Sequence, residues 1–80
     1  MFYVYALRSK KTNELYIGIS QDPAERVRQH NFGMTKSTKF GRPYELIYME
    51  SCVDRKTARD KEKKYKSGSG REFLKKFIPK

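Results

Sequence analysis

The feature that most restricts this chain is a pair of alternating segments at its start. Residues 2–8 and 14–20 mix aromatic, branched and small residues with a period of two, the pattern of half-buried strands. The polar link between them, residues 9–13, is too short for a crossover, so the two must form an antiparallel hairpin. In the first strand Phe2, Val4 and Ala6 share one face, and Tyr3, Tyr5 and Leu7 the other. In the second, Leu15, Ile17 and Ile19 oppose Tyr16 and Gly18. A turn centred near Lys10 and Lys11 would set Tyr5 directly across from Tyr16 on one face. Gly18 leaves a gap beside Tyr16 where a backbone or ligand can come close.

The rest of the chain supplies helices and one more strand. Asp22-Pro23-Ala24-Glu25 is a helix start, with Asp22 as cap, Pro23 at the first helical position and Glu25 placed for a capping box. This helix should run to about Asn31 and stop near Gly33. Residues 34–43 read as a basic loop with room for one short helical turn, and residues 44–50 alternate as a third strand. Asp54 caps a helix over about 55–67, which Gly68 and Gly70 are expected to end. A last short helix over 72–77 would dock through Phe73, Leu74, Phe77 and Ile78. The expected fold is α+β: a small three-stranded antiparallel sheet flanked by helices, in the order β-β-α-β-α-α. With no internal repeat or linker, residues 1–80 form one domain holding one thin core.

Nineteen Lys and Arg against nine Asp and Glu give a formal charge of +10. A field of that sign gathers polyanions, nucleic acid first and anionic membrane second. Charge alone does not separate these from a merely solubilising surface. The single cysteine, Cys52, excludes an internal disulfide and a Cys-rich zinc site, and suits a reducing cytoplasm. No segment approaches the roughly 20 apolar residues of a membrane span. The first residues have neither the basic leader nor the cleavage site of a signal peptide.

Polar residues at core-facing positions carry the functional signal. Pro23, Arg26, Val27 and His30 follow the three-four spacing of one helix face. A charged residue on an inward face must be paired, must snorkel, or must line a cleft. Ala58, Glu62 and Tyr65 repeat the pattern, and burying the first and last carries Glu62 toward the core, where it needs a cation. Each residue has an ordinary explanation when taken singly. The tyrosines could be cross-strand aromatics, Glu62 a partner for Lys66, and Lys61, Lys63, Lys64 and Lys66 a solvated face. Several such residues beside one sheet face favour a site.

These residues, in this order and spacing, resemble the GIY-YIG nuclease superfamily, in particular its small stand-alone members similar to excision-repair nuclease domains. Tyr3-Val4-Tyr5 stands at the first motif and Tyr16-Ile17-Gly18 is the second. Arg26 and His30-Asn31 lie on the matching helix, Asp60-Lys61-Glu62-Lys63 matches the glutamate motif, and the segment from Ser67 to Leu74 resembles the ending of the small members. The chain departs from the pattern in having Tyr3 at the name-giving glycine and no asparagine beyond Asn31.

The resemblance implies a divalent-metal-dependent endonuclease. It would hydrolyse phosphodiester bonds to 5′-phosphate and 3′-hydroxyl ends, with structure-selective cleavage in DNA repair or recombination. Its catalytic residues would be Tyr5, Tyr16, Arg26 and His30, with Glu62 holding one Mg²⁺ or Mn²⁺. Arg26 would fork onto phosphate oxygens. Tyr16 would activate water, alone or through Tyr5, its pKa drawn below the usual phenol value near 10 by nearby cations. His30 would relay the proton or contact the phosphate. Lys36, Lys39, Arg42, Lys63 and Lys64 would track the nucleic-acid backbone. The implied partner is DNA rather than RNA, bound by a cytoplasmic monomer without membrane association. The rival reading is a non-catalytic basic nucleic-acid-binding module on the same scaffold, and Glu62 discriminates, because a carboxylate facing phosphates gives a pure binder nothing. A basic ribosome-associated protein would explain the charge but not the Tyr5, Tyr16, Arg26 and Glu62 set.

Overall fold

A computed structural model of the chain describes residues 1–33 and 41–79. Its elements are β1 (Phe2–Ser9), β2 (Leu15–Ser20), α1 (Pro23–Asn31), β3 (Tyr44–Cys52), α2 (Arg55–Lys66) and α3 (Gly68–Lys75). The strands form one antiparallel sheet in the order β2-β1-β3, so the N-terminal strand is central. The register against β3 steps from Tyr48 to Leu46 between Ala6 and Leu7, which makes Ile47 the extra residue of a β-bulge. No helix among the described residues is long and apolar enough to cross a membrane.

The alternation of β1 divides the molecule into layers. Val4, Ala6 and Ile17 face α2 and α3, building the core with Cys52, Ala58, Tyr65 and Leu74. Tyr5 and Leu7 face the other way, toward α1 and its buried His30. Asp22 and Asp54 both cap as expected, but the capping box does not close: the Asp22 N–H donates to Ser20 Oγ at 2.9 Å and the Glu25 carboxylate pairs with Arg28. Asp22 accepts from the Glu25 N–H at 3.3 Å, and Asp54 from the Thr57 N–H at 2.8 Å.

The end of α2 differs from the sequence expectation. Gly68 and Gly70 do not terminate it; they open α3. Ser67 makes the corner instead. Its hydroxyl donates to the Lys64 carbonyl at 2.6 Å and accepts from the Gly70 N–H at 3.2 Å, serving the end of one helix and the start of the next. Gly70 is needed for closeness rather than for a turn. A methyl group there would collide with the Lys64 carbonyl and the Tyr65 backbone, so its absence lets α3 lie directly on α2. Nothing lies within 4 Å of the same position on Gly68.

Candidate active site

The hairpin sets the two phenols, though not as expected. Tyr5 pairs with Gly18, and Tyr16 with Leu7. The tyrosines therefore share a face as diagonal neighbours and are not directly opposed. The cause lies in the loop. The Ser9 hydroxyl is fully buried, accepts from the Lys11 and Thr12 N–H groups at 3.1 and 3.0 Å, and donates to the Gly41 carbonyl at 2.6 Å. Asn13 takes the left-handed conformation, φ 68°, that returns the chain to the ladder. These bonds centre the turn between Lys11 and Thr12. A displacement of two residues preserves the side-chain parity, which a displacement of one would have reversed.

The observed register gives Gly18 a second role. A Cβ on Gly18 would sit 2.8 Å from the Tyr5 hydroxyl, 3.0 Å from its ring carbon and 3.3 Å from the Tyr16 ring. The Tyr5 ring thus lies across Gly18, carrying its hydroxyl over β2 in a buried position. There groups from both helical layers act on it.

From α1 come His30 and Arg26. His30 is completely buried, with its ring edge-on to Tyr16 at 4.7 Å between centroids and its Nε2 3.4 Å from the Tyr5 hydroxyl. Tyr44 closes the far side of the imidazole at 6.1 Å. Burial, reinforced by the Arg26 charge, lowers the His30 pKa, so the imidazole is neutral at pH 7 and able to accept a proton. Arg26 is half-buried and donates to Gln29 Oε1 at 2.8 Å, which holds its guanidinium in place. Asn31 clamps the end of α1 to β3 through both ends of its amide. Nδ2 donates to the Tyr44 carbonyl at 3.0 Å, and the Tyr44 N–H donates to Oδ1 at 2.6 Å. Sequence reasoning missed both supports. Gln29 was within reach of a three-residue spacing from Arg26, whereas Asn31 had no local signal.

From α2 comes Glu62. Burial pushes the Tyr5 pKa up; a hydrogen bond and the charge of Arg26 pull it down; Tyr16 and Glu62 push it up again. Arg26, Tyr16 and Glu62 all act electrostatically on the Tyr5 hydroxyl. The net direction is upward, so the resting Tyr5 phenol is protonated at neutral pH. Glu62 itself is one-fifth exposed and pairs with Lys66 at 3.5 Å, one turn on. The described residues contain no cluster of three or more His, Cys, Asp or Glu that could cage a metal. A single accessible carboxylate fits a hard cation that retains its waters, such as Mg²⁺ or Mn²⁺, and does not fit zinc or a calcium cage.

The expected phosphate-tracking residues scatter. Lys36 and Lys39 lie outside the described residues. The Arg42 guanidinium packs over Gly33, whose φ of 76° ends α1. Lys63 is on the Glu62 side of α2. Lys64 is on the far side, its ammonium 6.0 Å from the Tyr65 ring, beside Ser69, Gly70 and Phe73. A further polar cluster on the core face was not foreseen. Glu50 accepts from Tyr65 at 2.6 Å, from Tyr48 at 2.7 Å and from Lys61. Burial raises the Glu50 pKa, but these three bonds outweigh it and hold the carboxyl at about 2.

Comparison with known proteins adds independent findings. A family model described as "GIY-YIG catalytic domain" matches residues 1–76. The chain is 40% identical over 79 residues to a UPF0213 protein of Pediococcus pentosaceus, covering 94% of this chain and 82% of that one. It is 34% identical over 74 residues to a UPF0213 protein of Staphylococcus saprophyticus and 35% over 74 residues to one of Staphylococcus haemolyticus. Each of those two alignments covers 91% of this chain and 89% of the relative. No solved structure gives a significant match.

Proposed function

This chain belongs to the GIY-YIG catalytic domain family, and on that premise we propose that it is a divalent-metal-dependent endonuclease acting on DNA. The observation that supports the reading is the convergence at the Tyr5 hydroxyl. The imidazole of His30 touches it, Tyr16 packs on that imidazole, and the charges of Arg26 and Glu62 act on it, so residues of β2, α1 and α2 are all coupled to one phenol. A structural ion pair would need none of the aromatic members.

The roles follow from the groups. Arg26, already fixed by Gln29, presents a planar fork to the phosphate oxygens. Tyr16 orients the attacking water, and the Tyr5–His30 pair accepts the proton released as the water oxygen bonds to phosphorus. The bond from phosphorus to the 3′ oxygen breaks, and that oxygen leaves with a proton from solvent as a 3′-hydroxyl, the phosphate remaining on the 5′ end. Glu62 would hold Mg²⁺ or Mn²⁺, which when bound supplies charge stabilisation to the phosphate and leaving oxygen. Neutral His30 suits this scheme, because an imidazolium could not accept the proton. No recognition helix or finger accompanies the site, so substrate choice rests on DNA structure, as in repair or recombination, rather than on sequence.

The test is incubation of wild type and Glu62→Ala with branched, nicked and intact duplex DNA, in Mg²⁺, in Mn²⁺ and in chelator. Wild type should cleave only with metal. Glu62→Ala should not cleave, yet should bind DNA as tightly or more tightly, since a negative charge has gone. Metal-independent or unchanged nicking by the variant defeats the assigned role of Glu62. Binding without any cleavage by wild type would identify a non-catalytic module.

A further inference from the structure

The cations of α2 are sorted by the contacts its two flanks make. Ala58 and Tyr65 mark the buried line. On one side Lys61 reaches β3 and pairs with Glu50; on the other Glu62 pairs with Lys66 and its charge acts on Tyr5. At about 100° per residue, Arg55, Arg59, Lys63 and Lys66 all fall on the Glu62 side, within about 80° of one another. Arg55, Arg59 and Lys63 repeat every fourth residue, giving rungs about 6 Å apart along the helix. None of these three makes an ion pair or side-chain hydrogen bond among the described residues, whereas Lys61, Lys66 and Lys75 each have a carboxylate. Arg55, Lys56 and Arg59 line a shallow concavity of ≈ 380 Å³ with no acidic residue in its wall.

We infer that this flank of α2 is a phosphate track that leads one nucleic-acid strand away from Glu62, with Arg55 and Arg59 as its principal rungs. The inference rests on the nucleic-acid reading above and deepens it by fixing the direction in which substrate lies. Unpaired guanidiniums at a constant spacing cost like-charge repulsion that a nearby carboxylate would have relieved. A strand carrying one charge per about 3.4 Å along its axis meets each rung with a phosphate. Glu62 sits at the inner border of the track, so a strand engaged by Arg55 and Arg59 continues directly past the carboxylate. The contacts are to backbone only, and they favour a defined strand path over a defined sequence.

The track is tested by fluorescence anisotropy of a short labelled DNA duplex and of its single strand, across a salt series. All proteins carry Glu62→Ala so that nothing is cut. Adding Arg55→Ala with Arg59→Ala should make the slope of log affinity against log salt shallower by about 1.8 for duplex or about 1.4 for single strand. Lys75→Ala with Lys76→Ala removes the same charge from the end of α3 and should leave the slope unchanged. Arg55 and Arg59 are exposed, so their loss should not unfold the domain; circular dichroism confirms this. Equal slope changes in the two double variants overturn the track, as does absence of binding by the parent. Metal-dependent cleavage by wild type with an unmoved slope sinks the track alone. A moved slope without cleavage sinks the nuclease reading alone.

Discussion

At Gly18 the site depends on a missing carbon. The residue lies opposite Tyr5 and next but one to Tyr16, and both rings occupy the space its side chain would fill. Gly18→Ala should therefore displace the Tyr5 hydroxyl from His30 and Arg26. Overpacking of this kind costs about 1–3 kcal/mol, offset by roughly 0.5–1 kcal/mol because alanine loses less backbone entropy than glycine. The expected outcome is a small fall in the urea midpoint and a much larger fall in cleavage rate. A variant with wild-type cleavage would show that the Tyr5 position is not critical. The glycine was visible in the sequence as a gap beside Tyr16. Its pairing with Tyr5 was not visible, because the turn is fixed by a buried serine hydroxyl that reaches across to Gly41. A serine in a polar link carries no sign of that long-range bond.

At the scale of elements, α2 and α3 show that two glycines two residues apart can have different physical roles. Both lie in the first turn of α3, but only Gly70 touches backbone across the helix pair. Gly70→Ala should destabilise by about 2–4 kcal/mol, because the obstructing atoms belong to main chain and cannot swing aside. Gly68→Ala should be neutral or stabilise by up to about 1 kcal/mol, since it fills open space and favours helix. Urea denaturation of the two variants side by side checks this, and equal effects would contradict the packing account. Composition marked these glycines as a helix stop, which is their commonest use. Their use here as a contact surface required knowing that α3 folds back onto Lys64 and Tyr65. The lysine run of α2 was equally ambiguous. Periodicity gave the buried line through Ala58 and Tyr65, but the partners that separate its flanks, Glu50 and Tyr5, come from other strands.

For the molecule as a whole, the part-buried Glu50 and the buried His30 set the response to acid. Glu50 has a folded pKa of about 2 against an ordinary 4.5, so its stabilising contribution is complete above 4.5 and is lost as pH falls toward 2. His30 has a folded pKa below its ordinary 6.5, so protonation favours the unfolded chain and stability starts to fall as pH drops below 6.5. Urea midpoints measured from neutral pH downward should decline in both windows. Glu50→Gln should flatten the lower one while costing about 1–3 kcal/mol at neutral pH, since the Tyr48, Tyr65 and Lys61 donors lose their anion. A midpoint that holds constant between pH 5 and pH 3 would contradict this role of Glu50. The amino-acid sequence by itself determined the order of the elements, the helix starts at Asp22 and Asp54, the face to which each hairpin residue belongs, and the motif set from Tyr5 to Glu62. Those properties depend on residues within one turn or one strand of each other, where periodicity and capping act. Only the tertiary structure decided the hairpin register, the Glu50 cluster and the Asn31 clamp. Each of those depends on contacts between segments far apart in the chain, whose partners are chosen when the layers pack.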